Sequence, residues 1–422
     1  MERWELPKGW SKIRLNDEVI DILSGFSCAR KYAVQTGVLH LRPFNIGISG
    51  ELDLTQRIYI PEDTISNPAY YYLQSGDILF NNTNSVELVG KSAIVRTPME
   101  CTFSNHLTRI RIIALERLEP QWLLLALRSL WLNGFFAANC NRWIGQAGFA
   151  PTKLAELEIP APPLAEQRRI AARLETLLGE TRALRAEVQS MRRDLAQVME
   201  SALAEAFPAP QGEVAEGWGW KRLGDICTYT NGVWGDSDPK GIPVLRSTDF
   251  LPDGTLNYYS AARLTLDEKA IKKASLIPGD ILLERSGGGP KKPVGRVAYF
   301  SDTGIYCFGN FITQLRTSTD TVYPRYLFMF LYQFHVLGYT EKLQTQTTNI
   351  RNLRFQEYLD VEVPIPYPDD PIRSLAEQRR IVASLERIAE ETRALDASLA
   401  QDLRDLEALE QSILAAAFRG EM

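Results

Sequence analysis

The sequence predicts two α/β (α+β) heads in tandem, joined by two long helices that pair as an antiparallel coiled coil, the whole forming an internal repeat with an approximate two-fold axis. Three observations carry this prediction. The letters LAEQRRI stand at 164–170 and again at 375–381. The match runs without a gap through 164–207 and 375–418, with 24 of 44 pairs identical. Weaker matches recur in the same order through the segments that precede each copy.

The repeated stretch has the period of a coiled coil. Ile170, Leu174, Leu177, Thr181, Leu184, Val188, Met191, Leu195, Val198 and Ala202 are spaced 4-3-4-3 throughout. The second copy answers with Ile381, Leu385, Ile388, Thr392, Leu395, Leu399, Asp402, Leu406, Leu409 and Ile413. An apolar spacing of 3.5 residues sustained over four heptads marks a seam between helices. The seam is therefore assigned to Ile170, Leu174, Leu177, Leu184, Val188 and Leu195 with Ile381, Leu385, Ile388, Leu395, Leu399 and Leu406. Thr181, Thr392 and Asp402 are expected to help fix register. Pro163 suits the first turn of one helix and Pro208 stops it. The other helix begins near Asp370 and Pro371, or at the capping-box pair Ser374 and Glu377, and Gly420 suits its end. Each helix is roughly 65 Å long at 1.5 Å per residue. The first helix leads away from one head and the second from the other, so pairing of the seams makes them antiparallel.

The heads repeat as well. GWSKIRLND (9–17) answers GWKRLGD (219–225), SGDILF (75–80) answers PGDILL (278–283), and VGKSAIV (89–95) answers VGRVAYF (294–300). FSNHLTRIRI (103–112) answers FGNFITQLRT (308–317), and ELEIPAP (156–162) answers DVEVPIP (360–366). Short β-rich runs alternate with turns, and one helix is expected in each head, over 121–137 and 324–340. The domain boundaries follow: head 1–162, long helix 163–207, linker 208–217, head 218–366, and linker with second long helix 367–422. Seven residues, 367–373, are extra in the second linker.

Composition narrows the function. Five scattered cysteines without a CxxC pair argue against zinc and against a disulfide framework, and fit a reducing cytoplasm. Three histidines make a histidine metal cluster improbable. No apolar run spans a bilayer, and no signal peptide is expected. The net charge of −5 is uneven: 16 basic against 16 acidic residues over 1–162, 7 against 9 over 163–217, 17 against 15 over 218–365, and 7 against 12 over 366–422. The heads are neutral to slightly basic, which permits local contacts to nucleic acid without a broad basic footprint.

At this level the chain resembles a known family, the DNA specificity subunits of type I restriction-modification systems. The likeness rests on IPAPPLAEQRRIAARLE, SLAEQRRIVASLERI, the GDIL turns and the VG segments after them. It implies two target recognition domains, each reading one half of a bipartite double-stranded DNA sequence, and paired helices that set the spacer and dock two methyltransferase subunits. It implies no catalysis and no cofactor in this chain. S-adenosylmethionine belongs to the partner methyltransferase, which modifies adenine N6, and ATP and Mg to the partner restriction subunit. The repeated helix starts, with Arg168, Arg169, Arg379 and Arg380, are expected to help form equivalent docking surfaces.

Candidate DNA contacts fall in paired loops. RSGGGPKKPVGR (285–296) offers Arg285, Lys291, Lys292 and Arg296, and its counterpart NNTNSVELVGK (81–91) offers Asn81, Asn82, Asn84 and Lys91. NRWIGQAG (141–148) offers Arg142 and Gln146, and QTQTTNIRNL (344–353) offers Gln346, Thr347, Asn349 and Arg351. Arg42 and Arg246 align with each other. The alternative reading is an enzyme with its own methyltransferase or nuclease activity, and NPAY (67–70) is its best support. That segment lacks the second proline of the adenine-methyltransferase signature and a preceding cofactor loop, so a turn is the better reading. VGKS (89–92) lacks the upstream glycine of a phosphate loop, and DEK (267–269) is a common surface turn. A third reading is a coiled-coil adaptor that binds only protein.

Overall fold

The computed structural model of the chain describes residues 6–16, 18–210, 212–287, 293–346 and 350–422. It divides into two compact units, one reaching to Gln189 and including Ala400–Met422, the other Ser190–Leu399. Both boundaries fall inside the long helices, Leu164–Ala206 and Pro371–Phe418.

In the first unit a four-stranded antiparallel sheet has the order Ile20–Ser24, Leu107–Ile112, Ile78–Asn81, Ser92–Ile94. A second sheet places Val38–Leu41 between Tyr59–Ile60 and a parallel neighbour, Cys101–Phe103. The IPAPP approach forms Glu158–Ala161, which pairs antiparallel with Ser11–Arg14. The second unit repeats these arrangements. Its four-stranded sheet runs Cys227–Asn231, Ile312–Thr317, Ile281–Glu284, Val297–Tyr299. Asp236–Leu245 lies between Ala262–Thr265 and parallel Cys307–Phe308. Trp218–Arg222 pairs with Glu362–Pro366. The central strands Ile78–Asn81 and Ile281–Glu284 are buried along their whole length, as strands with covered faces must be. The tandem α/β architecture is thus as the sequence predicts.

The head helices are shorter than expected. They cover Pro120–Leu132 and Pro324–Val336, each with proline at its first position. Gly134 and Gly338, at φ +73° and +78°, end them in left-handed turns that a side chain disfavours. The second long helix starts four residues before the repeat does. Asp370 caps it, its carboxylate accepting from the Arg373 N–H at 3.1 Å, and Pro371 opens the first turn. Ser374 therefore lies inside the helix, and its Oγ accepts from Gln378 Nε2 at 2.9 Å.

Within each unit the long helices pack antiparallel. In the first unit Arg169 donates to the Met422 carbonyl at 2.9 Å, while Arg185, further along, lies 3.8 Å from Glu410. In the second, Arg192 donates through Nε and Nη2 to the two Asp396 carboxylate oxygens at 2.7 and 3.1 Å, and Leu203 and Phe207 share a core with Ile381, Val382 and Leu385. Each unit's core takes in both helices. Phe418 meets Trp122 at 4.6 Å between ring centroids, and Phe207 meets Tyr326 at 5.1 Å. Burying such a ring stabilises by roughly 2–3 kcal/mol.

The seam differs in register from the sequence reading. Ile170 and Leu174 are buried, but the next buried positions are Leu178 and Thr181, a 4-4-3 step. Leu177, Val188 and Leu195 are half-buried, and Leu184 is 50% exposed. On the other helix Ile381, Leu385 and Leu399 are buried, Ile388 and Leu406 half-buried, and Leu395 49% exposed. Leu184 and Leu395 are thus corrected out of the seam, and Asp402 also faces water. The cause is the pitch of a straight helix, 3.6 residues per turn, against a heptad's 3.5. Charges pair along the helices instead, Arg185 beside buried Glu410, and half-buried Arg192 with half-buried Asp396. Thr181 satisfies its hydroxyl on its own helix, donating to the Leu177 carbonyl at 2.9 Å.

Candidate nucleic-acid interface

The two polar segments singled out in each head converge on one small sheet. In the first unit Gln146–Gly148 lies between Asn141–Trp143 and Thr83–Asn84, antiparallel to both. In the second Arg351–Leu353 lies between Gln344–Gln346 and Ser286–Gly287. Segments about sixty residues apart thus build one surface, by the same strand order in both heads.

On the first sheet Arg142 and Gln146 are exposed, and Asn84 is half-buried with its side-chain oxygen accepting from the Ser85 N–H at 2.8 Å. On the second Gln346 is exposed and Arg351 half-buried. Arg285 adjoins that sheet. It donates to Asn231 Oδ1 at 2.8 Å, and its guanidinium lies 4.6 Å from the Phe355 ring centroid. Lys291, Lys292, Thr347 and Asn349 lie outside the described residues.

Other expected contacts are turned inward. Asn81, Asn82 and Lys91 are buried. Asn81 donates to the Leu88 carbonyl at 3.2 Å, and Asn82 to Thr108 Oγ1 at 2.9 Å. Burial pulls the Lys91 ammonium below the usual lysine range, against the opposing pull of Glu51 and Asp53. These three are corrected to structural roles: Asn81 ends a buried central strand, Asn82 follows it, and Lys91 lies opposite, its carbonyl accepting from the Asn81 N–H at 2.8 Å. Arg296 is engaged by buried Glu284 at 2.8 and 2.9 Å and by the Ser247 carbonyl at 2.8 Å. Arg42 donates to the Cys28 carbonyl at 2.8 Å, and aligned Arg246 to the Ser260 carbonyl at 2.7 Å. Both hold a loop of their own head.

The repeated motifs are explained by packing. Gln167 of LAEQRRI is buried; its oxygen accepts from the Glu119 N–H at 2.9 Å, and its amide donates to the Arg117 and Pro162 carbonyls at 2.8 and 2.9 Å. Gln378 does the same for the Tyr323 N–H at 2.8 Å and the Thr321 carbonyl at 3.1 Å. Each glutamine ties a long helix to the start of its head helix, whose first N–H groups lack partners within the helix. The aspartate of each GDIL turn takes an arginine in bidentate fashion, Asp77 with Arg111 at 2.7 and 2.7 Å and Asp280 with Arg316 at 2.7 and 2.8 Å. The prolines before the long helices also serve the heads: the Pro160 carbonyl accepts from Trp122 Nε1 at 2.8 Å, and the Pro364 carbonyl from the Tyr326 hydroxyl at 2.7 Å.

Arg168, Arg169 and Arg380 are exposed but engaged, with Glu119 at 2.9 Å, Glu166 at 2.8 Å and Glu377 at 2.7 Å. Arg379 lies over the Tyr323 ring at 5.7 Å. Sequence reasoning passed over Trp143 and Ile144, which crown the first small sheet and are 61% and 105% exposed. The only signal available was an isoleucine beside a turn glycine between Arg142 and Gln146. Among the described residues no group of three His, Cys, Asp or Glu side chains is placed to hold a metal ion, and no helix is long and apolar enough to cross a membrane.

Two heads of one topology, each carrying a small sheet with different side chains and each sharing its core with two long helices, define an internally duplicated protein. The chain belongs to the family described as the type I restriction modification DNA specificity domain, whose model matches residues 7–190 and 215–403. It is 24% identical over 436 residues to the type I restriction enzyme StySPI specificity subunit of Salmonella potsdam, covering 100% of this chain and 91% of that protein. It is 23% identical over 448 residues to the EcoKI specificity subunit of Escherichia coli K12, with the same coverage of 100% and 91%. Among solved structures it resembles a chain from a study of complex assembly and conformational transition of the type I R-M system, at TM-score 0.75 and 26% identity over 100% of both chains. It also resembles the HsdS subunit from Thermoanaerobacter tengcongensis, at TM-score 0.61 and 26% identity, over 100% of this chain and 99% of that one.

Proposed function

We propose that this specificity subunit reads a bipartite DNA target without catalysing any reaction itself. Each small sheet faces one half-site, and the two long helices set the unspecified spacer. The observation that carries the reading is the duplicated sheet: one strand order in both heads, but Asn84, Arg142 and Gln146 on one and Ser286, Gln346 and Arg351 on the other. A repeat that keeps its architecture and changes its surface suits two unlike half-sites, and Arg, Gln and Asn are the side chains that pair with purine edges.

The partners follow from the same reading. Two methyltransferase subunits, carrying S-adenosylmethionine, dock on the repeated helix starts at Arg168, Arg169, Arg379 and Arg380. Restriction subunits, with ATP and Mg, join through that complex, and the whole acts in the cytoplasm. Apolar Met191 and Val198, seven residues apart and 47% and 41% exposed, offer a partner further surface on the second unit's part of the first helix. The domain limits 1–162, 163–207, 208–217, 218–366 and 367–422 serve as units for exchange experiments.

Mapping methylated adenines in the host with and without this gene tests the reading, and a bipartite motif that vanishes with the gene is expected. The purified chain alone is expected to transfer no methyl group from labelled S-adenosylmethionine to DNA. Robust transfer without a partner would overturn the non-catalytic reading. Reversing the four arginine charges is expected to release both methyltransferases in co-purification; an intact complex would refute that docking site.

A further inference from the structure

We propose that Ile144, backed by Trp143, is a wedge that enters duplex DNA and unstacks one base step in the half-site read by the first head. This rests on the DNA-reading function above and assigns a deforming role to a hairpin tip.

The tip is built for insertion. Trp143 pairs with Gln146, so Ile144 and Gly145 form a two-residue turn, with Gly145 at φ +76°. Ile144 is completely exposed, and a Cβ added at Gly145 would meet nothing within 4 Å. The Trp143 ring lies over Gly148 of the neighbouring strand, where a Cβ would come within 2.9 Å of it. The glycine thus leaves room for the indole to lie against the sheet, and its other face remains open. A bare isoleucine on a two-strand ribbon is poorly placed in water unless something covers it.

The surroundings choose the cover. Residues 139–155 contain Arg142 and Lys153 and no carboxylate. Lys153 and Arg142 are anchored by the carbonyls of Asn139 and Ala137 at 3.1 and 2.9 Å, which places positive charge at the base of the hairpin that carries the tip. The nearby carboxylate is Glu87 of the adjoining loop, whose acidity Arg142 increases after the larger effects of its own backbone and Ser85. Two apolar side chains, set between Arg142 and Gln146 in the hairpin, form too small a patch for a protein partner. They match an aliphatic wedge with an aromatic face for a base, flanked by groups for phosphates and base edges. The second head's corresponding segment, TQTTNIR (345–351), is two residues longer in sequence and has no aromatic residue beside its isoleucine, and the wedge is assigned to the first head alone.

The test uses the full chain purified with its co-assembling subunits, and duplexes carrying the mapped target. 2-Aminopurine replaces each purine of the first head's half-site in turn, apart from the methylated adenine. A fluorescence rise on binding is expected at one step. Ile144→Ala should abolish that rise and weaken binding roughly tenfold, leaving the salt dependence unchanged. Arg142→Ala should keep the rise and lower the salt slope by about one. Because Ile144 touches nothing, its replacement leaves the fold intact. Unchanged fluorescence and affinity in Ile144→Ala would overturn the wedge, as would loss of a protein subunit with DNA binding preserved. If the unsubstituted complex shows no preference for the mapped target, the DNA-reading function itself fails, and the wedge with it.

Discussion

At the scale of single residues, the most informative side chains are two glutamines. Gln167 and Gln378 each make three hydrogen bonds in a buried site. Truncating either strands a helix-start N–H and at least one carbonyl. Gln167→Ala and Gln378→Ala should each destabilise by about 2–3 kcal/mol in denaturant unfolding, and should add nearly independently because the two share no partner. Two histidines make stability depend on pH. Burial, aided by Arg42 and Arg296 respectively, lowers His40 and His335 from 6.5 to about 4. Each is neutral when folded, with Nδ1 on a threonine hydroxyl at 3.0 and 2.9 Å. Below pH 6.5 the unfolded chain takes up protons that the folded chain refuses. Stability present above that pH is therefore lost as it falls toward 4, by up to about 3 kcal/mol per histidine. His40→Asn with His335→Asn should flatten the slope of unfolding free energy between pH 6.5 and 4.

At the scale of elements, the sequence reveals most where a period is long and least where a face must be chosen. The long helices and their pairing were legible because 44 residues repeat and alternate 4-3. Which residues meet was not: a drift of one position turns Leu184 and Leu395 outward and Glu410 inward, and apolar character alone cannot register it. Glu410 is buried beside Arg128, which also donates to the Ser49 carbonyl at 2.7 Å, with Arg185 3.8 Å away. Burial weighs against the Arg128 charge, and Glu410 offsets it. Glu410→Gln should cost about 3–5 kcal/mol in denaturant unfolding by leaving buried cations unpaired. Glu410→Met with Arg128→Met should recover much of that. The recognition sheets were half legible. Composition marked the loops that meet in each small sheet, but a polar residue buried beside a central strand and a half-buried one a few residues on read alike, so Asn81 and Lys91 group with Asn84 in the sequence.

At the scale of the whole molecule, duplication is the main determinant. Two heads of one topology follow from matches such as SGDILF with PGDILL, because each motif secures a turn, a strand pair or a helix start that both heads need. On the proposed reading the half-site sequences do not follow, since they would depend on a few side chains and on the shape of the DNA. Lengthening both long helices by seven residues, near 189 and 400 where one unit gives way to the other, should leave both half-sites unchanged. It should widen the spacer by at most about three base pairs, from roughly 10 Å of added helix. Methylation mapping of the variant checks this, and a changed half-site would refute the ruler.

The first unit draws Leu414, Ala417 and Phe418 into its core beside Trp122, and this bears on the order of assembly. On the ribosome, every segment of Ser190–Leu399 emerges before these side chains do. The head translated first must wait, with its tryptophan uncovered, while the head translated second has all its parts. A released chain truncated after residue 405 should thus protect the later head from protease and leave the earlier one open to cleavage.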